Sequence, residues 1–155
     1  MKRWLINGVS ASTIDVNDRG FAYGDGLFET VAVRAGRLRF FGAHYARLVL
    51  SCRRLGLPVP EQDVLAESAH KLIGDDRDGT LKIIVSRGPA ERGYRPPSLP
   101  EPTCALGFTP EPPPVFPAEG IRARLCSTPV SSNPATAGMK TLNRLDQVLA
   151  RSEWD

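Results

Sequence analysis

Hydrophobic and polar positions along the first 110 residues follow two different spacings. Short apolar, β-branched runs bounded by turn residues predict strands. These runs cover residues 4–7, 28–34, 38–41, 79–88 and 103–110. The pairs Asn7–Gly8 and Ala35–Gly36 favour tight turns between neighbouring strands, so the second and third runs are predicted to form a hairpin.

Two other stretches place apolar residues three or four positions apart, which is typical of amphipathic helices. The first begins near His44 and ends at Gly56. Its apolar positions are Leu48, Val49, Cys52 and Leu55. The second covers residues 60–74, with a proline near its start and a glycine after its end.

A proline-rich stretch, "PEPPPVFP" at residues 110–117, predicts a stiff linker. We therefore expect an N-terminal α+β domain over 1–109, a linker over 110–118 and the beginning of a second domain over 119–155. That tail offers a predicted strand at 120–130, a polar loop at 131–138 and a helix from about Thr141. One strand and one helix cannot enclose a core, and the helix lacks a Gly or Asn cap, so we expect a truncated domain.

Composition and charge narrow the function classes. The 155 residues have 41% hydrophobic and 24% charged positions, with a formal net charge of +3. The basic residues are scattered, which argues against nucleic acid as the main partner. No apolar run approaches the ~20 residues that span a bilayer, and Asn7 and Gly8 interrupt any signal-peptide core. Three cysteines without C-x-x-C spacing argue against a metal site and favour reduced, buried thiols in a cytoplasmic protein.

The lysine of "AGMKTLNRLDQVLARSEWD" is one of only four lysines among twenty basic residues. Lys140 precedes the predicted last helix, which Thr141 is expected to cap. A cation is disfavoured at a helix N-terminus, so this position is expected to lower the lysine pKa and to favour a neutral, nucleophilic amine. An ordinary surface lysine is the alternative.

Four segments together resemble the fold-type IV pyridoxal-phosphate enzymes. They are "FAYGDGLFET", "HYARL", "SRGPAERGY" and "GMKTLNRLDQVLAR". That family includes branched-chain aminotransferases, D-amino-acid aminotransferases and 4-amino-4-deoxychorismate lyases. The resemblance implies a two-domain α+β architecture in which this chain holds the N-terminal domain and the start of the larger C-terminal domain. It also implies pyridoxal 5'-phosphate as cofactor.

The resemblance implies roles for five residues. Lys140 corresponds to the lysine that binds the cofactor covalently and then moves protons, and Arg47 to the arginine that contacts its phosphate. Phe28 matches an aromatic residue that lines the substrate side of the pocket. Arg92 and Tyr94 match a loop that reaches the neighbouring subunit's active site in relatives and helps bind a substrate carboxylate. The structural alternative is a solvated helix residue for Arg47, a strand core residue for Phe28 and an ordinary mobile loop for Arg92 and Tyr94.

The segment "NRLDQVLAR" resembles the lyase branch more than the aminotransferases. That branch converts 4-amino-4-deoxychorismate to 4-aminobenzoate and pyruvate for folate synthesis, in a homodimer. A D-amino-acid or branched-chain aminotransferase of the same fold remains an alternative, as does a non-catalytic α+β or dimerisation module. Because the relatives continue further, we expect these 155 residues alone to bind the cofactor poorly and to turn over little.

Overall fold

A computed structural model describes residues 3–154 and contains six strands and four helices over that range. The strands are β1 (Arg3–Ile6), β2 (Val9–Ser10), β3 (Gly26–Arg34), β4 (Arg37–Leu38), β5 (Gly79–Ser86) and β6 (Thr103–Pro110). The helices are α1 (Arg19–Tyr23), α2 (Phe41–Leu55), α3 (Gln62–Ile73) and α4 (Leu145–Arg151).

All six strands form one antiparallel sheet in the order β2-β1-β6-β5-β3-β4. The long central ladder pairs β3 with β5 from Gly26 opposite Ser86 to Val33 opposite Gly79. The short strand β4 covers only the far end of β3, at Val33 and Arg34. Near Gly26, at the other end of β3, the outer edge is therefore free of β4 and can pair with a different segment.

Helices α2 and α3 cover one face of the sheet. Alternation along β3 explains which side chains point toward them, since Leu27, Val31 and Val33 are buried and Thr30 is exposed. Leu48 and Cys52 of α2 join the same core. Burial of each large aliphatic side chain contributes about 1.5–3 kcal/mol, so this layer supplies the main stabilisation.

The α+β class is confirmed, and most elements lie where the apolar spacing predicts them. Phe40 (φ 53°) and Phe41 leave the sheet, so β4 is shorter than the predicted strand over 38–41 and α2 begins before His44. Helix α1 was not predicted from the apolar spacing. This five-residue helix begins where the Asp18 side chain accepts the N–H of Gly20 and ends at Gly24, whose φ is 67°.

Two predictions for the last third of the chain are wrong. Residues 120–130 form no strand, and none of the described strands pairs with them. The Glu153 carboxylate instead accepts the N–H groups of Ser127 and Thr128. The last helix begins at Leu145, and Thr141 lies in a β-bridge instead of capping it.

The division into domains at 110–118 stays a prediction. Residues 111–116 have no regular structure and are exposed. Of the three free cysteines, Cys52 is buried, Cys104 is half-buried and Cys126 is exposed, so the expectation of buried thiols holds only in part. Within residues 3–154, no helix is long and apolar enough to cross a bilayer.

Candidate active site

The segment that carries Lys140 is held against the outer edge of β3. The Phe28 N–H donates to the Lys140 carbonyl at 2.9 Å, and the Leu142 N–H donates to the Gly26 carbonyl at 3.0 Å. Thr141 bridges to Leu27 between these two bonds. The sheet, and not a helix end, therefore fixes the backbone position of Lys140.

Glycine at position 26 makes this close approach possible. A Cβ there would lie 2.6 Å from the Val85 carbonyl oxygen and 2.8 Å from Cδ1 of Leu142. On the other side of the segment, the Arg54 guanidinium of α2 donates to the carbonyls of Pro134, Ala135 and Ala137 at 2.6–3.3 Å. Helix α2 and strand β3 together position the lysine.

Three cationic side chains surround the ring of Phe28. The Lys140 Nζ lies 4.3 Å from the ring centroid, Arg144 Cζ 5.1 Å and Lys82 Nζ 5.3 Å. We call Lys82, Lys140 and Arg144 the cation cluster. No carboxylate forms an ion pair with any of them in the described part of the chain. The Arg144 Nε is buried there without a hydrogen-bond partner. An anion would supply the missing partner.

Burial lowers the pKa of Lys140, and the positive charge of Arg144 lowers it further. Arg47 and Lys82 act in the same direction, whereas the Glu29 carboxylate opposes them. The expected direction of the shift is thus found, but its expected cause is wrong. Helix α4 begins five residues after Lys140, so neighbouring cations and burial favour the neutral amine instead of the helix end.

Arg47 is paired with a buried carboxylate. Its Nε and Nη2 donate to the two Glu29 oxygens at 2.6 Å each, and His44 Nδ1 lies 2.7 Å from Glu29 Oε2. Burial favours the protonated carboxyl, but the hydrogen bonds from Arg47 and His44 outweigh it and lower the pKa of Glu29. The same pairing raises the pKa of Arg47. Strand β3 thus fixes the orientation of this guanidinium.

The side chains near Lys140 fit a phosphorylated aldehyde cofactor. The Arg47 side chain is 45% exposed, and its Nη1 donates no hydrogen bond within residues 3–154. A guanidinium with a free, fixed N–H edge suits phosphate oxygens. Lys140 offers an amine whose neutral form is favoured, as reaction with an aldehyde requires. Arg47, Lys140 and Phe28 are therefore brought together by the fold.

Arg92 and Tyr94 do not join this group. Both side chains are exposed, and Tyr94 is 86% accessible. Their loop is bonded to α1, where Arg19 donates to the carbonyls of Gly93 and Tyr94 at 2.7 and 3.1 Å. No described contact links either side chain to Lys140.

The sequence reasoning missed three neighbours of Lys140. Glu29 carried a readable signal, because it occupies a core-facing position of β3 between Leu27 and Val31. Lys82 and Arg144 had no such signal, since only the folded chain shows that both approach Phe28. An open cleft of ≈ 900 Å³ adjoins the cation cluster and is lined in part by Met139, Thr141 and Arg144.

Comparison with known families decides the classification. The sequence profile described as amino-transferase class IV matches residues 26–155, which is most of the chain. The chain belongs to the class IV aminotransferase family. The match includes β3 with Phe28, α2 with Arg47 and the segment with Lys140.

Class IV relatives resemble the chain in sequence and in structure. The aminodeoxychorismate lyase of Vibrio harveyi is 32% identical over 97% of this chain and 56% of that protein. The crystal structure of 4-amino-4-deoxychorismate lyase from Pseudomonas aeruginosa is 43% identical, with a TM-score of 0.86 over 98% of this chain and 57% of that chain. A hypothetical aminotransferase from Mycobacterium tuberculosis in its PLP-bound form is 25% identical, with a TM-score of 0.58 over 77% of this chain and 41% of that one.

These class IV relatives confirm the fold-type IV architecture for the aligned region. The chain spans about half the length of the curated relatives that it matches. The substrates and reactions of the complete relatives are therefore assigned to this chain only as a proposal.

Proposed function

We propose that this chain carries the lysine-bearing part of a pyridoxal-phosphate-dependent aminodeoxychorismate lyase. The position of Lys140 is the observation that carries the proposal. Its amine lies over Phe28 in a cluster of cations without an acid partner among the described residues, next to the fixed guanidinium of Arg47. The similarity to two lyases over nearly the whole chain supports the choice of branch.

The residues at this site have distinct proposed tasks. Arg47 would hold the cofactor phosphate through the edge that Glu29 leaves free, and Lys140 Nζ would hold the cofactor covalently at its aldehyde carbon. When bound, pyridoxal phosphate supplies an electron sink for bond cleavage next to the substrate amine. The neutral Lys140 amine would accept the proton from the ring carbon that bears the substrate amine. Phe28 covers one side of the reacting group.

The substrate of the proposed reaction is 4-amino-4-deoxychorismate. The bond between the ring and the enolpyruvyl oxygen breaks, the leaving enolate takes up one proton to become pyruvate, and the ring, having lost one proton, becomes the aromatic 4-aminobenzoate, an intermediate of folate synthesis. Aromatisation drives the reaction, so the protein mainly positions the leaving bond and moves one proton. Lys82 and Arg144 add positive charge that suits a substrate with two carboxylates.

We further propose that the protein acts in the cytoplasm as a homodimer. Free cysteines are typical of that compartment. On α4, Leu145, Val148 and Leu149 are exposed, and such apolar surface favours association with another chain. Exposed Arg92 and Tyr94 are proposed to reach the neighbouring subunit's site and to bind a substrate carboxylate there.

The activity test follows 4-aminobenzoate by chromatography after 4-amino-4-deoxychorismate is added to the protein with pyridoxal phosphate. We expect only a small amount of product from the unaltered 155 residues, in line with their expected weak cofactor binding, and none from Lys140→Ala. A second reaction with D-alanine, 2-oxoglutarate and the cofactor measures amino transfer. Amino transfer without 4-aminobenzoate would replace the lyase proposal with the aminotransferase alternative, and loss of both would favour a non-catalytic module.

A further inference from the structure

The loop between β5 and β6 is irregular, yet directed contacts hold it at both its base and its tip. It contains Pro89, Gly93 and Pro96 and has no helix or strand between residues 87 and 102. Loops of this composition are ordinarily mobile. At its base, the N–H of Arg19 donates to the Gly88 carbonyl at 2.9 Å, and the N–H of Ala90 donates to the Asn17 carbonyl at 3.3 Å.

At the tip of the loop, a buried arginine from α1 makes the contacts. Arg19 is only 3% exposed, and its Nη1 and Nη2 donate to the carbonyls of Gly93 and Tyr94. Its Nε donates to Asp25 Oδ2 at 2.8 Å, so all three of its nitrogens are engaged. A buried guanidinium is costly unless it is hydrogen-bonded, and here the loop backbone accepts two of its three hydrogen bonds.

Tyr23 makes a second connection between α1 and the loop tip. Its hydroxyl oxygen accepts the Gly93 N–H at 3.2 Å, and its ring lies 5.5 Å from that of Tyr94. The Arg19 guanidinium stacks 4.9 Å above the Tyr23 ring. The conformation of residues 93 and 94 is therefore set by α1 and not by the loop itself.

Asp25 connects this contact to the site around Lys140. Its carboxylate also accepts from Arg87 at the base of the loop, and Arg87 donates to the carbonyls of Leu55 and Gly56 at the end of α2. Helix α2 carries Arg47, and β3, which carries Phe28, begins one residue after Asp25. A single carboxylate thus links the loop to the two elements that form the site.

We infer that Arg19 is a positioning residue: with Tyr23 and Asp25 it fixes the 88–97 loop in one conformation that presents Arg92 and Tyr94 outward. The loop has few apolar contacts of its own, so its order depends on these bonds. The part of the inference that concerns substrate rests on the proposed function. The part that concerns loop order does not, because it follows from the contacts of α1 alone.

Trypsin cleavage after Arg92 measures the order of this loop in the full chain. Arg92 precedes Gly93 and is exposed, whereas Arg95 precedes Pro96 and is a poor trypsin site. Cleavage follows the population of the locally opened loop when opening is fast. We expect Arg19→Met to raise the rate of cleavage after Arg92 about tenfold or more, since hydrogen bonds from a charged group are lost. An unchanged rate in a folded variant would overturn the inference.

Two further variants keep the test decisive if Arg19→Met does not fold. Tyr23→Phe removes only the acceptor of the Gly93 N–H and should raise the cleavage rate about threefold, by loss of one neutral hydrogen bond. Arg37→Met, which removes an exposed arginine of β4, is the matched control and should leave the rate unchanged. Equal rates for Tyr23→Phe and the control would contradict the inference.

Substrate kinetics distinguish a substrate-binding role of the loop from a purely structural one. If Arg92 and Tyr94 bind substrate, Tyr23→Phe should raise KM about threefold or more and change kcat less, because only substrate binding depends on the loop. Faster cleavage with unchanged KM would retain the loop-positioning role and remove the substrate role. If the unaltered protein lacks lyase activity, the proposed function fails while the cleavage test still decides the role of Arg19.

Discussion

At the residue scale, the environment of Lys140 distinguishes it from an ordinary surface lysine. It is half-buried, stacked on Phe28 and close to three other cations. Burial and like charges both penalise its protonated form. The chemistry proposed for this amine follows from its neighbours and not from its own element.

The dependence of the Lys140 pKa on Arg144 can be tested by labelling Lys140 with an amine reagent over a range of pH. The pKa of Lys140 lies below its ordinary value of 10.5, so the midpoint of its labelling rate should also lie below that value. Arg144→Gln removes a positive neighbour, and the midpoint should move upward. Peptide mass spectrometry identifies the labelled lysine, and the midpoint does not depend on reagent access. Equal midpoints in the two proteins would contradict this explanation.

Glu29 is the second residue whose environment predicts a measurable effect. Glu29→Gln keeps the size of the side chain but removes the charge that pairs with Arg47 and His44. We expect the free energy of unfolding in urea to fall by about 1–3 kcal/mol, as for the loss of a buried charged hydrogen bond. Glu67→Gln, on the exposed side of α3, should change it by less than about 0.5 kcal/mol. Similar unfolding free energies for both variants would show that the pairing of Glu29 with Arg47 and His44 contributes little to stability.

At the element scale, apolar spacing predicts the long elements well because their burial depends on local periodicity. Helices α2 and α3 and strands β3, β5 and β6 were all predicted near their observed positions. Helix α1 and the segment of Lys140 were not. The first is set by the Asp18 cap and buried Arg19, and the second by backbone bonds to β3 from more than a hundred residues away.

A pair of glycine variants tests the close approach of that segment to β3. Gly26→Ala places a Cβ against the Val85 carbonyl and Leu142, so it should lower the free energy of unfolding by about 1–3 kcal/mol. Gly42→Ala has no atom within 4 Å of its new Cβ and lies in α2, so it should be neutral or stabilise by up to about 1 kcal/mol. Thermal or urea unfolding separates the two results. A harmless Gly26→Ala would contradict the close packing of Gly26 against Val85 of β5 and Leu142 of the Lys140 segment.

At the scale of the whole molecule, one sheet brings together the site residues from three distant parts of the chain. Sequence resemblance predicted Lys140, Arg47 and Phe28, and the fold places them side by side. The roles given to Arg92 and Tyr94 stay predictions, because their side chains are exposed and no described contact links them to these three. The full environment of Lys140 could not be predicted from spacing, since Lys82 and Phe28 are far from Lys140 in sequence and only the fold brings them close to it.

The stability of the whole molecule should fall in acid. The pKa values of Glu29 and Asp25 are lowered from their ordinary 4.5 and 3.8, because arginine hydrogen bonds outweigh the cost of burial. Their stabilising effect is fully present above these ordinary values and is lost as the pH falls through the lower folded values. Urea unfolding should therefore show decreasing stability below about pH 4.5, with a smaller decrease for Glu29→Gln. Equal pH dependence would exclude Glu29 as a contributor.

Covalent mapping of the cofactor tests the central claim most directly. The full chain is mixed with pyridoxal phosphate, its visible absorbance is recorded, and borohydride then makes any lysine–cofactor bond permanent before peptide mass analysis. With excess cofactor to offset the weak binding expected of these 155 residues, we predict an absorbance band and a single modified peptide that contains Lys140, with both lost in Lys140→Arg. Modification spread evenly over the four lysines, or no modification at all, would contradict the assignment of Lys140 as the cofactor-binding residue.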